Sequence, residues 1–133
     1  SDINKVLELT ANKNPAKIKL IISANWKYKF FSLLKEEIEK TRDIKILMNI
    51  ILGDVDMKKH GQEVSKMIPS LVKDVTKLPK EVLDQKTELA SLKDVSKKLE
   101  EEFKCTVEIE SADLSKETKA RIANPGKPAI VIS

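Results

Sequence analysis

The chain has 133 residues, of which 41% are hydrophobic and 35% are charged, and its formal net charge is +4. This length fits one domain with a single core, and the regular spacing of apolar residues along most of the chain argues against disorder. The apolar runs are too short for a membrane span, no signal peptide is apparent, and the single cysteine excludes an internal disulfide, so a cytoplasmic protein with no membrane partner is expected.

The first third of the chain is predicted to contain two strands and one helix. Residues 3–10 are apolar enough for a strand or a helical turn, and a strand is favoured. Asparagines and a proline then mark a turn over 11–16, and the alternation in 17–23 predicts a half-buried strand. Asn25 is a candidate helix cap. The helix that follows has one apolar face, which consists of Trp26, Phe30, Leu34 and Ile38.

The middle of the chain is predicted to be helical. A second helix is expected over about 43–53, and a third apolar helical face runs over 64–78. Pro69 lies inside the third segment and is expected to kink or split it, because proline removes a backbone donor. A short helical segment is expected after Pro79. The last long helix carries Leu89, Leu92, Leu99 and Phe103.

The last quarter of the chain returns to strands. Residues 106–110 and 129–133 predict two strands, and the polar stretch 112–123 between them has room for a short helix. Strands at both ends with helices between them indicate an α+β fold, in which a small mixed β-sheet of N- and C-terminal strands has several helices packed on one face. The whole chain, 1–133, is interpreted as a single domain.

The charges are distributed unevenly. Residues 1–35 hold seven lysines against two acids, residues 99–117 hold seven acids against two lysines, and residues 118–133 hold three basic groups and no acid. If the fold brings the two ends together, they form one basic face that suits a phosphate backbone. A merely solvated lysine-rich surface is the alternative interpretation of the same charges.

No active site is predicted from the residues alone. His60 is the only histidine and has no nucleophile near it in sequence, so it is interpreted as a surface residue beside two lysines. Cys105 is interpreted as a small, mostly buried thiol. One cysteine and one histidine give poor support to a metal site, and the glycines are too far apart for a phosphate-binding loop.

Four stretches together carry a resemblance to a known family. They are SANWKYKF (23–30), DMKKHGQEVSKMI (56–68), EVLDQ (81–85) and NPGKPAIVIS (124–133). In order and spacing they resemble the C-terminal domain of archaeal-type leucyl-tRNA synthetases, a class I family, and the chain is expected to end where those enzymes end. Pro69 and Cys105 depart from the family pattern, which has a continuous helix and a glycine at these places.

The resemblance implies that catalysis and binding of the variable arm belong to different parts of the synthetase. The parent enzyme would activate leucine with ATP and charge leucine tRNA, whereas this chain lacks the catalytic motifs and would hold no cofactor. Its partners would be the long variable arm of leucine tRNA and the remainder of the synthetase. The segment SKMIPS (65–70) only superficially resembles the family's Lys-Met-Ser-Lys-Ser motif and is interpreted as structural.

The resemblance assigns contact with the tip of the variable arm to Ile130 and to Ser133 or its neighbours. Unstacked bases at an RNA tip expose their edges, and a terminal strand can read them with its backbone. Lys127, Lys27 and Lys29 are candidate phosphate contacts. Trp26 and Tyr28 are candidate stacking residues, although a core position is favoured for Trp26 and equally weighted for Tyr28. A protein-interaction domain that uses its amphipathic helices remains the alternative function, and a small enzyme ranks third.

Overall fold

The computed structural model describes residues 16–133, so the strand expected over 3–10 lies outside the described residues. Three strands form one mixed sheet: β1 (Lys17–Ile22), β2 (Thr106–Ser111) and β3 (Ala129–Ile132). Their order is β2-β1-β3, with β2 parallel and β3 antiparallel to β1. The predicted α+β class and the three predicted strands in this range are confirmed.

The described residues form two compact units. Unit 1 contains 16–25 and 83–133, and unit 2 is the continuous segment Trp26–Val82. Unit 1 holds the sheet and the long helix α5 (Gln85–Phe103), while unit 2 holds shorter helices around a core of its own. The interpretation of 1–133 as a single functional domain stays a prediction.

The sheet of unit 1 is covered on both faces. On one face, α5 packs its Leu99 against Ile18 and Leu20 of β1 and Ile130 of β3. This face follows from the alternation of the strands, because every second side chain points to the same side. On the other face, Ile21 packs with small residues, some of which come from a 3-10 helix over Thr118–Ile122; the buried members are Ala120, Ala123 and Ala129. The 3-10 helix lies within the polar stretch in which the sequence allowed a short helix.

Unit 2 contains four α-helices around one apolar core. They are α1 (Asn25–Ile38, with its first residue in unit 1), α2 (Ile44–Leu52), α3 (Val55–Lys58) and α4 (Gly61–Lys73), followed by a 3-10 turn over Val75–Lys77. The core residues that are completely or almost completely buried are Phe30, Phe31, Leu34, Leu47, Ile51, Met57, Val64 and Ile68.

Aspartates begin most of these helices. Asp43, Asp54 and Asp84 are the N-caps of α2, α3 and α5, and each carboxylate accepts backbone N–H groups of the first turn. Such caps satisfy donors that have no partner inside the helix and typically stabilise it by about 1 kcal/mol. The cap at Asp54 accounts for α3, a four-residue helix that the sequence periodicity did not predict.

One local prediction is wrong and another is wrong in part. The predicted split at Pro69 is absent, because α4 runs unbroken from Gly61 to Lys73, whereas the alternative of a kink at Pro69 stays a prediction. Proline removes a single backbone donor, and burial of Ile68 and Leu71 on either side of it anchors both turns. Residues 80–84 form no helix, so Pro79 does not open one.

Among the helices of residues 16–133, none is long and apolar enough to cross a bilayer.

Candidate functional site

The strand β3 lies at an edge of the sheet, and its pairing decides which backbone groups face outward. Ser133 and Lys17 exchange both of their backbone hydrogen bonds, at 3.0 and 3.1 Å. Hydrogen-bonded and non-bonded pairs alternate along an antiparallel ladder, so Lys19–Val131 is again bonded and Leu20–Ile130 is not. The backbone groups of Ile130 therefore point to the outer edge, where the carbonyl oxygen accepts from Lys119 Nζ at 3.4 Å.

The side chain of Ile130 points the other way. It is only 8% exposed and packs with Ile18, Leu20 and Leu99. It cannot serve as an apolar support for a base while the sheet is folded, so any recognition at this residue has to use the backbone. The neighbouring Ser133 is exposed, while its carbonyl oxygen is held by the N–H groups of Ala16 and Lys17, at 2.9 and 3.1 Å.

Lys127 lies in the turn that leads into β3. The turn is closed by two backbone hydrogen bonds, from Asn124 N to Lys127 O at 3.1 Å and from Lys127 N to Asn124 O at 2.8 Å. Lys127 is exposed, as are Lys119 and Arg121 on the 3-10 helix that packs beside β3. These three cations and the outer edge of β3 are referred to below as the β3 edge surface.

Within residues 16–133, the single basic face predicted from the charge distribution is only partly present. The sheet does bring the ends together, because β1 and β3 are neighbours. However, β2 carries the acidic stretch alongside the lysines of β1. Lys17 pairs with Glu108 at 3.0 Å, and Lys19 pairs with Glu110 and Glu117, both at 3.2 Å. The hydrogen bonds of Glu117 and Glu110 raise the pKa of Lys19. The basic character of this side is thus carried by the β3 edge surface.

Lys27, Tyr28 and Lys29 lie in unit 2, on α1. Lys27 and Tyr28 are buried, with exposures of 4% and 6%. Burial lowers the pKa of the Lys27 ammonium, and the charge of Glu63 partly opposes this effect. Lys29 is exposed but is bound by Asp54 at 3.0 Å and Asp56 at 2.8 Å, and the hydrogen bonds of Asp56 and Asp54 raise its pKa.

Trp26 has the core role that was favoured for it. It packs against Phe30, with ring centroids 6.0 Å apart, and is only partly exposed. Its other contact was not predicted: the ring of His60 stacks on it at 4.3 Å, with an interplanar angle of 8°. His60 is therefore a packing partner of an aromatic residue rather than an isolated surface residue.

A polar cluster around Asp113 was also missed from the sequence. Its Oδ2 accepts the N–H of Asn25, the Nε2 of Gln85 and the hydroxyl of Ser111, at 3.0, 3.0 and 2.8 Å. Gln85 Nε2 also donates to the carbonyl of Ser23, at 3.0 Å. Burial alone raises the pKa of Asp113, but these hydrogen bonds outweigh it and hold the pKa below its usual value. Asn25 thus begins α1 as a donor to Asp113, and not as the predicted cap.

Neither a metal centre nor a reactive thiol emerges from the described part of the chain. Residues 16–133 contain no group of three or more His, Cys, Asp or Glu side chains arranged to hold a metal ion. Cys105 is half-buried, and burial raises the pKa of its thiol, which disfavours the nucleophilic thiolate.

Comparison with known proteins gives a consistent set of relatives. No protein-family profile matches the chain. It is 32% identical over 141 residues to the leucine–tRNA ligase of Methanococcoides burtonii, which covers 99% of this chain and 15% of the relative. It is 34% identical over 134 residues to that of Methanocaldococcus jannaschii and 28% identical over 131 residues to that of Pyrococcus horikoshii, each covering 98% of this chain and 13% of the relative. The chain thus spans about one seventh of the length of these relatives.

Proposed function

Because the chain belongs to the archaeal-type leucyl-tRNA synthetases, where it corresponds to the C-terminal domain, we propose that it binds the long variable arm of leucine tRNA. By holding the arm it would support ATP-dependent leucylation by the parent enzyme, with the remainder of the synthetase as its second partner. ATP and leucine would be handled entirely by that remainder. The protein would work in the cytoplasm, where tRNA is charged.

The observation that carries the proposal is the outward-facing backbone of Ile130 between exposed cations. A backbone carbonyl at a strand edge can accept from the edge of an unstacked base, which is the form in which RNA loops and tips present their sequence. Lys127, Lys119 and Arg121 supply positive charge for the flanking phosphates, which position the RNA without specifying its sequence. Ser133 contributes an exposed hydroxyl at the end of the same strand.

Lys27, Tyr28 and Lys29 stay predicted contacts of lower weight. Burial of Lys27 and Tyr28 leaves little of either side chain for RNA, and Lys29 would have to release two carboxylates before it could bind a phosphate. The three cations of the β3 edge surface are exposed and lie beside the outward-facing backbone of Ile130. The residues of this surface are therefore the primary candidates.

The direct test is the affinity of the 133-residue chain for leucine tRNA transcripts with and without the variable arm, measured across a range of salt concentrations. Binding that depends on the arm and falls steeply with salt is expected. Lys127→Ala should weaken binding and lower the slope of log K against log salt by roughly 0.7–0.9. Lys73→Ala, an exposed lysine of unit 2, is the matched control and should change neither. Equal affinity for both transcripts would refute arm recognition.

A second test uses the parent enzyme. Removing Ile130–Ser133 should impair tRNA charging far more than leucine activation, because only the former would need the arm. Losing one or two base contacts costs roughly 1–3 kcal/mol, or about ten- to a hundredfold. Since the deletion also removes β3, the deletion protein has to be shown to be folded by its circular dichroism spectrum. Equal losses in charging and activation would contradict the proposal.

A protein-interaction domain is the second candidate function, and one observation favours it. Ile46 and Ile50, four residues apart on α2, are 47% and 45% exposed. Two neighbouring exposed isoleucines on a largely apolar helix are typical of a contact surface. Binding of a protein partner that is insensitive to salt, and lost in Ile46→Ser, would favour this function. Turnover of any small molecule by the chain would contradict both candidates.

A further inference from the structure

A buried carboxylate on α5 contacts the turn that carries Lys127. Glu88 is 6% exposed, and its Oε1 accepts the backbone N–H of Gly126 at 3.0 Å. The two residues are 38 positions apart in sequence and belong to unit 1. The contact therefore joins the first turn of α5 to the segment that leads into β3.

Gly126 is a position where the backbone needs this support. Its φ is 77°, in the left-handed region that glycine adopts without strain. It lies between Asn124 and Lys127, whose backbone groups bond each other across the turn. Glycine makes such a turn possible but does not fix it, because it also has the largest choice of other conformations. A hydrogen bond to its N–H removes much of that choice.

Keeping a carboxylate buried is costly unless it is well bonded. Glu88 lies on the helix whose residues Leu92 and Leu99 pack on the sheet, so an apolar side chain would fit the general character of this face. The bond from the Gly126 N–H offsets part of this cost and fixes the direction of the side-chain oxygen. Glu88 thus acts as a directional anchor, which an apolar residue at the same position could not replace.

We infer that Glu88 is a positioning residue for RNA binding: it holds the Asn124–Lys127 turn so that Lys127 and the start of β3 are presented together. This inference rests on the proposed function. It also predicts a change in RNA affinity that is opposite in direction to the change expected from charge alone. Glu88 is an acid, so removing its charge should by itself strengthen binding of a polyanion. Loss of positioning weakens it instead.

Two substitutions separate the effect of the length of the Glu88 side chain from the effect of its charge. Glu88→Gln keeps the length and an acceptor oxygen but loses the charge, whereas Glu88→Asp keeps the charge and shortens the side chain by one methylene. The 133-residue chain carrying each change is titrated with the leucine tRNA transcript at several salt concentrations. We expect Glu88→Gln to bind within about twofold of the parent, and Glu88→Asp to bind about three- to tenfold more weakly with a lower salt slope. Glu101→Gln, an exposed acid on the same helix, is the charge control.

The reverse order, with Glu88→Asp at parental affinity and Glu88→Gln weakened, would overturn the inference. Amide hydrogen exchange at Gly126 gives an independent measurement: it should be faster in Glu88→Asp than in Glu88→Gln, and equal rates would also overturn the inference. Lys127→Ala separates this result from the proposed function. If Lys127→Ala weakens binding and both Glu88 variants bind like the parent, only the positioning role is refuted. If Lys127→Ala is silent and the variable arm is not needed, the proposed function itself fails.

Discussion

Substituting Ile130 by alanine tests the architecture of the β3 edge surface most directly. The side chain is 92% removed from solvent, given its 8% exposure, and three of its carbons are lost in Ile130→Ala. At about 0.8 kcal/mol for each buried methylene, transfer alone accounts for about 2.4 kcal/mol. The cavity left against Leu20 and Leu99 adds to this, so the free energy of unfolding should fall by about 3 kcal/mol.

Urea unfolding followed by far-UV circular dichroism measures this loss. Ile122→Ala is the matched control, because Ile122 is 68% exposed and its truncation should cost less than about 0.5 kcal/mol. A loss below about 1 kcal/mol for Ile130→Ala, at an unchanged m value, would refute the burial of this side chain. This loss of stability also limits how RNA-binding experiments are interpreted. Weaker tRNA binding by Ile130→Ala can be assigned to a lost RNA contact only at temperatures where the variant is fully folded.

Two further predictions concern carboxylates that accept backbone N–H groups. Asp113→Ala should destabilise the chain by about 1 kcal/mol at pH 7, because it removes the acceptor for the first N–H of α1. The folded-state pKa of Asp113 is depressed, so this contribution is fully present above the unfolded pKa of about 3.9 and is lost as the pH falls through the lower folded value. Urea unfolding at pH 7, 5 and 2 should show the difference from the parent shrinking only at the lowest pH, and a constant difference would contradict the assignment. Asp43→Ala should cost about 1 kcal/mol through loss of the α2 cap while Asp43→Asn costs only a few tenths, as followed by the fluorescence of Trp26, the single tryptophan; equal losses for the two variants would count against the cap.

The fold class could be predicted from the sequence because the strands carry their own pattern. The alternation in Lys17–Ile22 and Thr106–Ser111 specifies which side chains turn inward, whatever the partner strand. The pairing register is not contained in either segment. Lys17 and Glu108 are 91 positions apart, and only the parallel register of β1 and β2 brings them together. The predicted basic face was therefore too large, since the sequence did not reveal that acids would lie beside its lysines.

The candidate contacts on α1 illustrate a different limit. One stripe of apolar residues predicted one buried face, but Lys27, Tyr28 and Phe31 are buried as well. A helix surrounded on more than one side buries residues outside its apolar stripe, and periodicity cannot report this. Asp113 and Glu88 were missed for a related reason, because each acts on a backbone N–H far away in sequence. No local sequence pattern identifies an acid whose hydrogen-bond partner lies in a distant segment.

The hydrogen bond from Gln85 to the carbonyl of Ser23 has a consequence for how such a chain can be made and changed. It fixes the point where the chain leaves unit 1 beside the point where it returns, so the two ends of unit 1 between which unit 2 is inserted are adjacent. Residues can be gained or lost between those ends without shifting the register of the sheet.

The same arrangement determines the order in which the two units can fold during synthesis. Unit 2, being continuous, can fold as soon as it has been translated, whereas β1 must wait for both of its neighbours, β2 and β3, to emerge near the end of the chain. During that interval the backbone groups along both edges of β1 are unpaired and open to pairing with another strand.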